Sequence, residues 1–164
     1  MPYIASRSVV VLACVALTLS ACGWRLQGAE RLSPTLSVIY VDADDRYTDF
    51  NRALRDRLRA SGAKVTERSA DATAVVRISK DQSGQRVLSV SARNTPEEYE
   101  VFYTVEYSVA SGSTELIAAQ PLEVTRDYSY DTTAVLAKQR EQAILREALA
   151  QDLASLVLRR LASL

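Results

Sequence analysis

The sequence predicts an α+β domain in which two helices pack on one face of a mostly antiparallel or mixed β-sheet, in the order β-α-β-β-β-β-α. Three patterns predict this fold class. Residues 98–109 alternate polar and apolar side chains, which is typical of a strand with one buried face. Residues 48–60 repeat apolar side chains every three or four positions, as an amphipathic helix does. Residues 133–161 contain neither Gly nor Pro and carry a row of leucines, which favours a long final helix.

The first predicted elements lie between residues 36 and 67. Residues 36–41 are a strand candidate, and the first helix follows an acidic segment. Thr48 or Asp49 can cap this helix, and Gly62 suits the left-handed residue that ends it. Residues 64–67 are a second, short strand candidate. The apolar stripe of the helix consists of Tyr47, Phe50, Leu54 and Leu58.

The middle of the chain is predicted to be β-structure. Residues 74–79 and 86–92 are expected to form a hairpin around Asp81-Gln82-Ser83-Gly84. The tyrosines of strand 98–109 are expected in the core, with an aromatic surface against a partner as the alternative. A turn at Ser111-Gly112-Ser113 leads into a strand over 115–128, where Pro121 indicates an edge position or a bulge. The inward parity of this strand is predicted from Leu116, Ala118, Leu122 and Val124.

The final helix is predicted to bury one apolar side. Its central row of side chains is Leu145, Leu149, Leu153, Leu156 and Leu164, joined by Ile144, Ala148, Val157 and Leu161.

The composition excludes several function classes. Lys+Arg 20 and Asp+Glu 20 give the 164-residue chain no net charge, which argues against nucleic acid as a partner. The chain has no His, and this removes Ser-His-Asp triads, Cys-His dyads and most zinc sites. We therefore expect a protein that is not an enzyme and that needs no cofactor other than a covalent lipid.

The N-terminus predicts a bacterial lipoprotein. Arg7 precedes an apolar run over residues 9–19 that is shorter than the roughly 20 residues of a membrane-spanning helix. The segment Leu19-Ser20-Ala21-Cys22 is similar to a lipobox, in which the thiol of Cys22 takes the lipid. We expect residues 1–21 to be a cleaved signal peptide, 22–35 a lipidated tether and 36–164 one α+β domain. Gly23 follows Cys22, which by similarity to lipoprotein sorting rules indicates the outer membrane.

Charged residues give two kinds of candidate site. The carboxylates of Asp42-Asp44-Asp45 and Glu97-Glu98-Glu100 are expected to be solvated rather than catalytic. Arginine outnumbers lysine 17 to 3, and guanidinium groups bind phosphates through two parallel hydrogen bonds. On composition alone, codon bias towards arginine is the better explanation. Position selects two cations: Arg93 ends a predicted strand, Lys138 opens the final helix, and both are expected at one end of the domain.

Several short segments resemble one known family. They are Cys22-Gly23-Trp24-Arg25-Leu26, Glu98-Tyr99-Glu100-Val101, Tyr128-Ser129-Tyr130-Asp131, and Val135-Leu136-Ala137-Lys138 with Glu141. In this order and spacing they resemble the LptE (RlpB) family of lipopolysaccharide-assembly lipoproteins.

The resemblance implies a function that the composition does not supply. Family members plug the LptD outer-membrane β-barrel, assist its assembly and bind lipopolysaccharide during transport to the outer leaflet. It implies Arg93 and Lys138 as the lipopolysaccharide-binding residues, Cys22 as the lipid attachment site, and a location on the periplasmic side of the outer membrane and in the barrel lumen.

Two other function classes stay open from the sequence. A periplasmic adaptor lipoprotein that binds cell wall or a secretion machine has the same small scaffold. An enzyme with a carboxylate-only site requires a deep pocket that unites two of the acidic clusters.

Overall fold

Five strands and two helices make up the part of the chain that the computed structural model describes, residues 32–129 and 135–164, with side chains from residue 138 onwards in the second range. The predicted signal peptide and Cys22 lie outside the described residues. The elements are β1 (Val38–Ala43), α1 (Asp49–Ala60), β2 (Lys64–Thr66), β3 (Ala74–Val90), β4 (Pro96–Ser111), β5 (Thr114–Ser129) and α2 (Val135–Ala162), with single 3₁₀ turns at Pro34–Leu36 and Ser69–Asp71.

The strands form one mixed sheet in the order β2-β1-β3-β4-β5. The pairs β1–β2 and β1–β3 are parallel, while β3–β4 and β4–β5 are antiparallel hairpins. Helix α1 connects the parallel strands β1 and β2, as a crossover between parallel strands requires. The predicted α+β class and element order are confirmed.

The core lies between one face of the sheet and the two helices. Strand β4 contributes every second side chain, and its tyrosines 103 and 107 are 3% and 1% exposed, so their predicted core position is confirmed. The helices cover this face with Phe50, Leu54 and Leu58 from α1 and with Leu149, Leu153, Val157 and Leu161 from α2, all of them at most 1% exposed. Burying such aliphatic and aromatic side chains is the main favourable contribution to folding.

Helix α1 begins and ends as its sequence predicts. The backbone N–H of Asn51 donates to Oγ1 of Thr48, which makes Thr48 the N-cap residue. Gly62 adopts φ +91° just after the helix, in the left-handed region that glycine occupies without strain.

Strand β3 corrects the predicted hairpin. Residues 74–90 form one continuous strand, and Gly84 lies in its middle, paired with Phe102 of β4. A Cβ on Gly84 would lie 2.6 Å from Cζ of Phe102, so the glycine leaves room for the ring that crosses it. The polar run 81–84 therefore marks a close approach within a sheet, and the two segments predicted as a hairpin are one strand.

Strand β5 has both features that Pro121 indicates. It is the last strand of the sheet, so the missing N–H of proline interrupts no interior ladder. A bulge also separates the pairs Tyr107–Gln120 and Val109–Ile117. Before this bulge, Ile117 is buried and Ala118 is exposed, whereas after it Leu122 and Val124 are half-buried. The single inward parity predicted for β5 is therefore wrong before the bulge.

Helix α2 follows its predicted stripe only in part. The buried row runs through Leu149, Leu153, Val157 and Leu161, whereas Ile144 and Leu164 are 67% and 48% exposed. Among the side chains described from residue 138 onwards, those before Leu149 bury less apolar surface than those from Leu149 to Leu161. No helix among residues 32–129 and 135–164 combines the length and the apolar character that crossing a membrane requires.

Candidate functional site

The turn between β3 and β4 is held in one conformation by Ser91. Its carbonyl accepts from the N–H of Asn94 at 2.9 Å, and its hydroxyl accepts from the N–H groups of Arg93 and Thr95 at 3.3 and 3.2 Å. The N–H of Ser91 in turn donates to the carbonyl of Thr95 at 2.8 Å. Asn94 has φ +59°, a conformation that asparagine tolerates better than most residues.

This turn presents Arg93 to solvent. The side chain of Arg93 is exposed, and no carboxylate of the described residues forms an ion pair with it. An unpaired guanidinium on an ordered turn can bind an anion without first breaking an internal salt bridge.

Lys138 lies in the first turn of α2 and is held in place by two neighbours. Its Nζ lies 5.8 Å from the centre of the Tyr128 ring and 2.8 Å from a carboxylate oxygen of Glu141. Tyr128 is itself fixed, because its ring stacks on Tyr99 at 5.8 Å between centroids and its hydroxyl donates to Gln85. The Lys138 side chain as a whole is 17% exposed.

The strand register brings the two cations to the same end of the sheet. Lys138 lies over the ring of Tyr128, and Tyr128 pairs with Tyr99 of β4. Strand β4 begins only three residues before Tyr99, at Pro96, directly after the turn. Three residues of strand correspond to about 10 Å. We call this region, residues 87–99 with Tyr128 and Lys138, the turn end of the sheet. The expectation that Arg93 and Lys138 lie at one end of the domain therefore agrees with the topology.

The sheet face away from the helices carries paired charges. Arg86 forms ion pairs with Glu100 and Glu123 and lies 5.3 Å from the centre of the Phe102 ring. A hydrogen bond from Thr104, followed by the charge of Arg86, lowers the pKa of Glu123 below its usual value. This face therefore brings charges of opposite sign from three strands into contact, which sequence reasoning missed because it depends on which strands pair.

The two predicted acidic clusters lie far apart. Asp42 pairs with Arg77 of β3, whereas Glu98 pairs with Ser89, twelve residues further along the same strand. That separation is about 40 Å. A depression of about 300 Å³ beside Asp42 and Asp44 consequently does not include the second cluster. Among the described residues, no group of three or more Asp, Glu or Cys side chains is arranged to hold a metal ion.

A buried polar network joins α1 to the sheet. Asp81 accepts hydrogen bonds from Thr48 at 2.5 Å and from Tyr103 at 2.8 Å, and the hydroxyl of Tyr103 accepts from the N–H of Phe50. Burial raises the pKa of Asp81, and the hydrogen bonds from Thr48 and Tyr103 reduce this increase in part. Burial, and then the hydrogen bond to Asp81, raise the pKa of Tyr103. Because its partners are all internal, this network orients the N-terminus of α1 and lies outside the turn end.

Comparison with known proteins identifies the family. Residues 36–161 match the family model described as LptE, lipopolysaccharide-assembly. The chain belongs to the LptE family. Membership gives the chain a role in lipopolysaccharide assembly. The family consists of envelope-associated lipoprotein assembly factors and is not a known enzyme family. The resemblance inferred from the sequence is therefore confirmed.

Relatives of known sequence agree with the LptE assignment over almost the whole chain. The LPS-assembly lipoprotein LptE of Pectobacterium atrosepticum is 27% identical over 158 residues, which are 93% of this chain and 83% of the relative. The protein of the same name from Yersinia enterocolitica is 23% identical and covers 93% of this chain and 74% of its own.

Solved structures show the same LptE-like fold. The rare lipoprotein B of Shewanella oneidensis is 32% identical, with a TM-score of 0.66 over 77% of this chain and 94% of that one. An uncharacterized lipoprotein B of Nitrosomonas europaea, 23% identical, reaches a TM-score of 0.72 over 86% of this chain and 91% of that one.

Proposed function

We propose that this LptE-family chain is an outer-membrane lipoprotein that plugs and helps to assemble the LptD β-barrel, and that it binds lipopolysaccharide on the way to the outer leaflet. Family membership and relatives named LPS-assembly lipoprotein support the proposal. In this proposal the chain acts by binding alone, without catalysis and without a cofactor other than the lipid on Cys22.

The pair of cations at the turn end carries the lipid-binding part of the proposal. Arg93 offers a planar fork of N–H donors, which matches two oxygens of a phosphate group. Lys138 offers an ammonium group whose position is set by its contacts with Tyr128 and Glu141. The lipid A and inner-core parts of lipopolysaccharide carry phosphates, which are the anions that these two groups would bind.

Phosphate binding at this position also suggests a mechanism. Lipopolysaccharide molecules associate through divalent cations that bridge their phosphates. Arg93 and Lys138 would compete with those cations for the same oxygens and so loosen the aggregate. The ion pair between Lys138 and Glu141 is a partly exposed contact between residues three apart on one helix, a kind of contact that contributes little and can be exchanged for phosphate.

The charge distribution supports the barrel-plug part of the proposal. The lumen of a large outer-membrane barrel is polar. The sheet face that carries Arg86, Glu100 and Glu123 is polar and holds charges of opposite sign in contact, so it suits contact with such a wall better than an apolar face would. The lipid on Cys22 would keep the chain at the membrane before the barrel encloses it.

A charge-reversal experiment tests the site. The double variant Arg93→Glu/Lys138→Glu should weaken lipopolysaccharide binding by at least about tenfold, because charge-assisted hydrogen bonds contribute roughly 1.5–3 kcal/mol each. The same variant should still co-purify with the barrel partner, because neither side chain contributes to the core. Binding is measured at fixed ionic strength with purified lipopolysaccharide, and co-purification from outer membranes in mild detergent.

The matched control makes the same charge change elsewhere. Lys64 and Arg159 are exposed and lie on β2 and near the C-terminus of α2, away from the turn end. Lys64→Glu/Arg159→Glu should leave lipopolysaccharide binding within about twofold of the wild-type value, since net charge alone acts only weakly across a screened solution. Equal losses in both variants, or no loss in the first, would contradict the assignment of the site. Recovery of no large barrel protein with the wild-type chain would contradict the partner.

A further inference from the structure

Three aliphatic side chains at the turn end are exposed together. Val87, Leu88 and Val90 are 47%, 47% and 51% exposed, and all lie in the last four residues of β3. The other large apolar side chains that are exposed among the described residues lie apart in sequence, at Tyr47, Ile144 and Leu164. Exposed apolar side chains that occur singly need no explanation, whereas a contiguous group indicates a binding surface.

The pairing of β3 with β4 is irregular at these residues, with one register shift between Val87 and Ser89 and a second, in the opposite sense, between Ser89 and Val90, which pairs with Pro96. Val87 pairs with Tyr99 and Ser89 with Glu98, so β3 advances two residues while β4 advances one, which places the extra residue at Leu88. Val87 therefore shares the face of Tyr99, which is the face that the helices cover.

Ser89, between Leu88 and Val90, binds a carboxylate on the opposite face of the sheet. The hydroxyl of Ser89 donates to the carboxylate of Glu98 at 2.8 Å. Glu98 adjoins Tyr99 in β4 and therefore lies on the opposite, exposed face of the sheet. Leu88 and Val90 flank Ser89, each beside a register shift, so alternation along β3 does not assign them a face relative to Val87. Both side chains are exposed, as that of Val87 is. We call Val87, Leu88 and Val90 the apolar patch.

The surroundings of the apolar patch are aromatic on one side and cationic at its border. Tyr99 pairs with Val87 and stacks on Tyr128. Lys138 in turn lies over the Tyr128 ring. In the other direction along β3, the turn that presents Arg93 begins one residue after Val90. An apolar surface bordered by two cations is complementary to a molecule in which hydrocarbon chains adjoin phosphates.

We propose that the apolar patch is a subsite for the acyl chains of the phosphorylated lipid whose phosphates Arg93 and Lys138 bind. This inference rests on the proposed function and extends it from the headgroup to the hydrocarbon part of the ligand. The patch covers part of an acyl chain that would otherwise contact water once the lipid has left its aggregate. Removing that contact with water is favourable in proportion to the apolar area covered.

The experiment compares two probes that differ only in their acyl chains. One is purified rough-type lipopolysaccharide, and the other is the fully deacylated, phosphorylated oligosaccharide prepared from it. Both are titrated into the full-length chain at fixed salt and detergent concentration. The wild-type chain should bind the acylated probe at least about tenfold more tightly. Val87→Thr/Leu88→Gln/Val90→Thr should reduce this preference to about twofold or less and leave the affinity for the deacylated probe unchanged.

Separate outcomes distinguish the two proposals. Leu164→Gln changes a leucine that is 48% exposed at the far end of α2 and should keep the wild-type preference. If the triple variant keeps the preference, or loses barrel co-purification while keeping it, the patch serves another contact and the inference is overturned. If Arg93→Glu/Lys138→Glu binds the deacylated probe normally, the headgroup site is wrong instead.

A second measurement does not depend on the stability of the triple variant. A photoreactive benzophenone side chain introduced at Leu88 should crosslink to acylated lipopolysaccharide, and the same group at Leu164 should not. Equal crosslinking at both positions, or none at Leu88, would overturn the inference.

Discussion

Asp81 is a carboxylate that the fold holds in a partly buried position. It accepts hydrogen bonds from Thr48, the N-cap of α1, and from Tyr103 in the middle of β4. The same two hydroxyls accept the N–H groups of Asn51 and Phe50. One side chain thus joins the start of a helix to two strands. The alternative for these donors would be burial without partners, which costs about 1–3 kcal/mol for each group.

The raised pKa of Asp81 predicts an unusual pH dependence. Above the folded-state pKa the carboxylate is charged in both states, so the folded state carries the cost of its burial. As the pH falls through the raised folded-state pKa towards the unfolded value of about 3.9, the folded state takes up the proton first and this cost disappears. The unfolding free energy of the wild-type chain should therefore rise, relative to that of Asp81→Asn, as the pH is lowered from 7 to 4.

Denaturant unfolding of the two chains at both pH values measures this difference. Asp56→Asn is the control, because Asp56 is an exposed carboxylate of α1 whose partner Arg59 lies on the same helix. A difference between wild type and Asp81→Asn that does not change with pH would contradict the account of this network.

Strand β3 shows where the sequence predicted an element correctly and where it did not. Its two halves were predicted as strands from their composition, and both are strands. The polar residues 81–84 between them have the composition of a turn. Their actual state depends on β4, because Phe102 requires a partner without a side chain and Asp81 has hydrogen-bond donors on α1 and β4. Neither requirement can be read from residues close in sequence.

Gly84 and Phe102 give a test of this explanation. Gly84→Ala should destabilise the chain by about 1 kcal/mol, because its Cβ would lie 2.6 Å from the Phe102 ring and force that ring to move. In a Phe102→Ala background the same change should be neutral or stabilising, since alanine is otherwise better than glycine within a strand. Chemical denaturation of the four chains in this double-mutant cycle measures the coupling. Independent effects of the two changes would contradict the close approach.

The turn end shows the same limit for the candidate site. Arg93 and Lys138 were predicted at one end from the order of the elements, and the register of β3, β4 and β5 agrees. The support of Lys138 by Tyr128 and the exposure of the apolar patch were not predicted. Both depend on strand pairing, and two register shifts between Val87 and Val90 interrupt the simple alternation of faces there.

The whole molecule separates its apolar and charged surfaces. The helices cover one face of the sheet, and the other face carries ion pairs such as Arg86 with Glu100 and Glu123. The described apolar patch lies at one end, next to the cations. Charges on this face are thus in contact with charges of opposite sign, whereas Arg93 forms no ion pair with the described residues at the turn end. In the proposed function, the charged face would contact the polar wall of the barrel and the turn end would contact the lipid.

Attachment to the membrane is the remaining property of the whole molecule, and Cys22 is the residue on which it is predicted to depend. Wild-type cells fed labelled palmitate should incorporate the label into the chain, and Cys22→Ser should abolish it and release overproduced chain into the soluble fraction. Each buried methylene of an acyl chain contributes about 0.8 kcal/mol to membrane affinity, so losing all chains removes stable anchoring.

Cys14→Ser is the matched control, because Cys14 lies in the apolar run before the lipobox and the variant should retain full labelling. The fold should be unchanged in both, with the same melting temperature, because the core is built from residues after the tether. Label that persists in Cys22→Ser, or that is lost in Cys14→Ser, would place the lipid on a different residue.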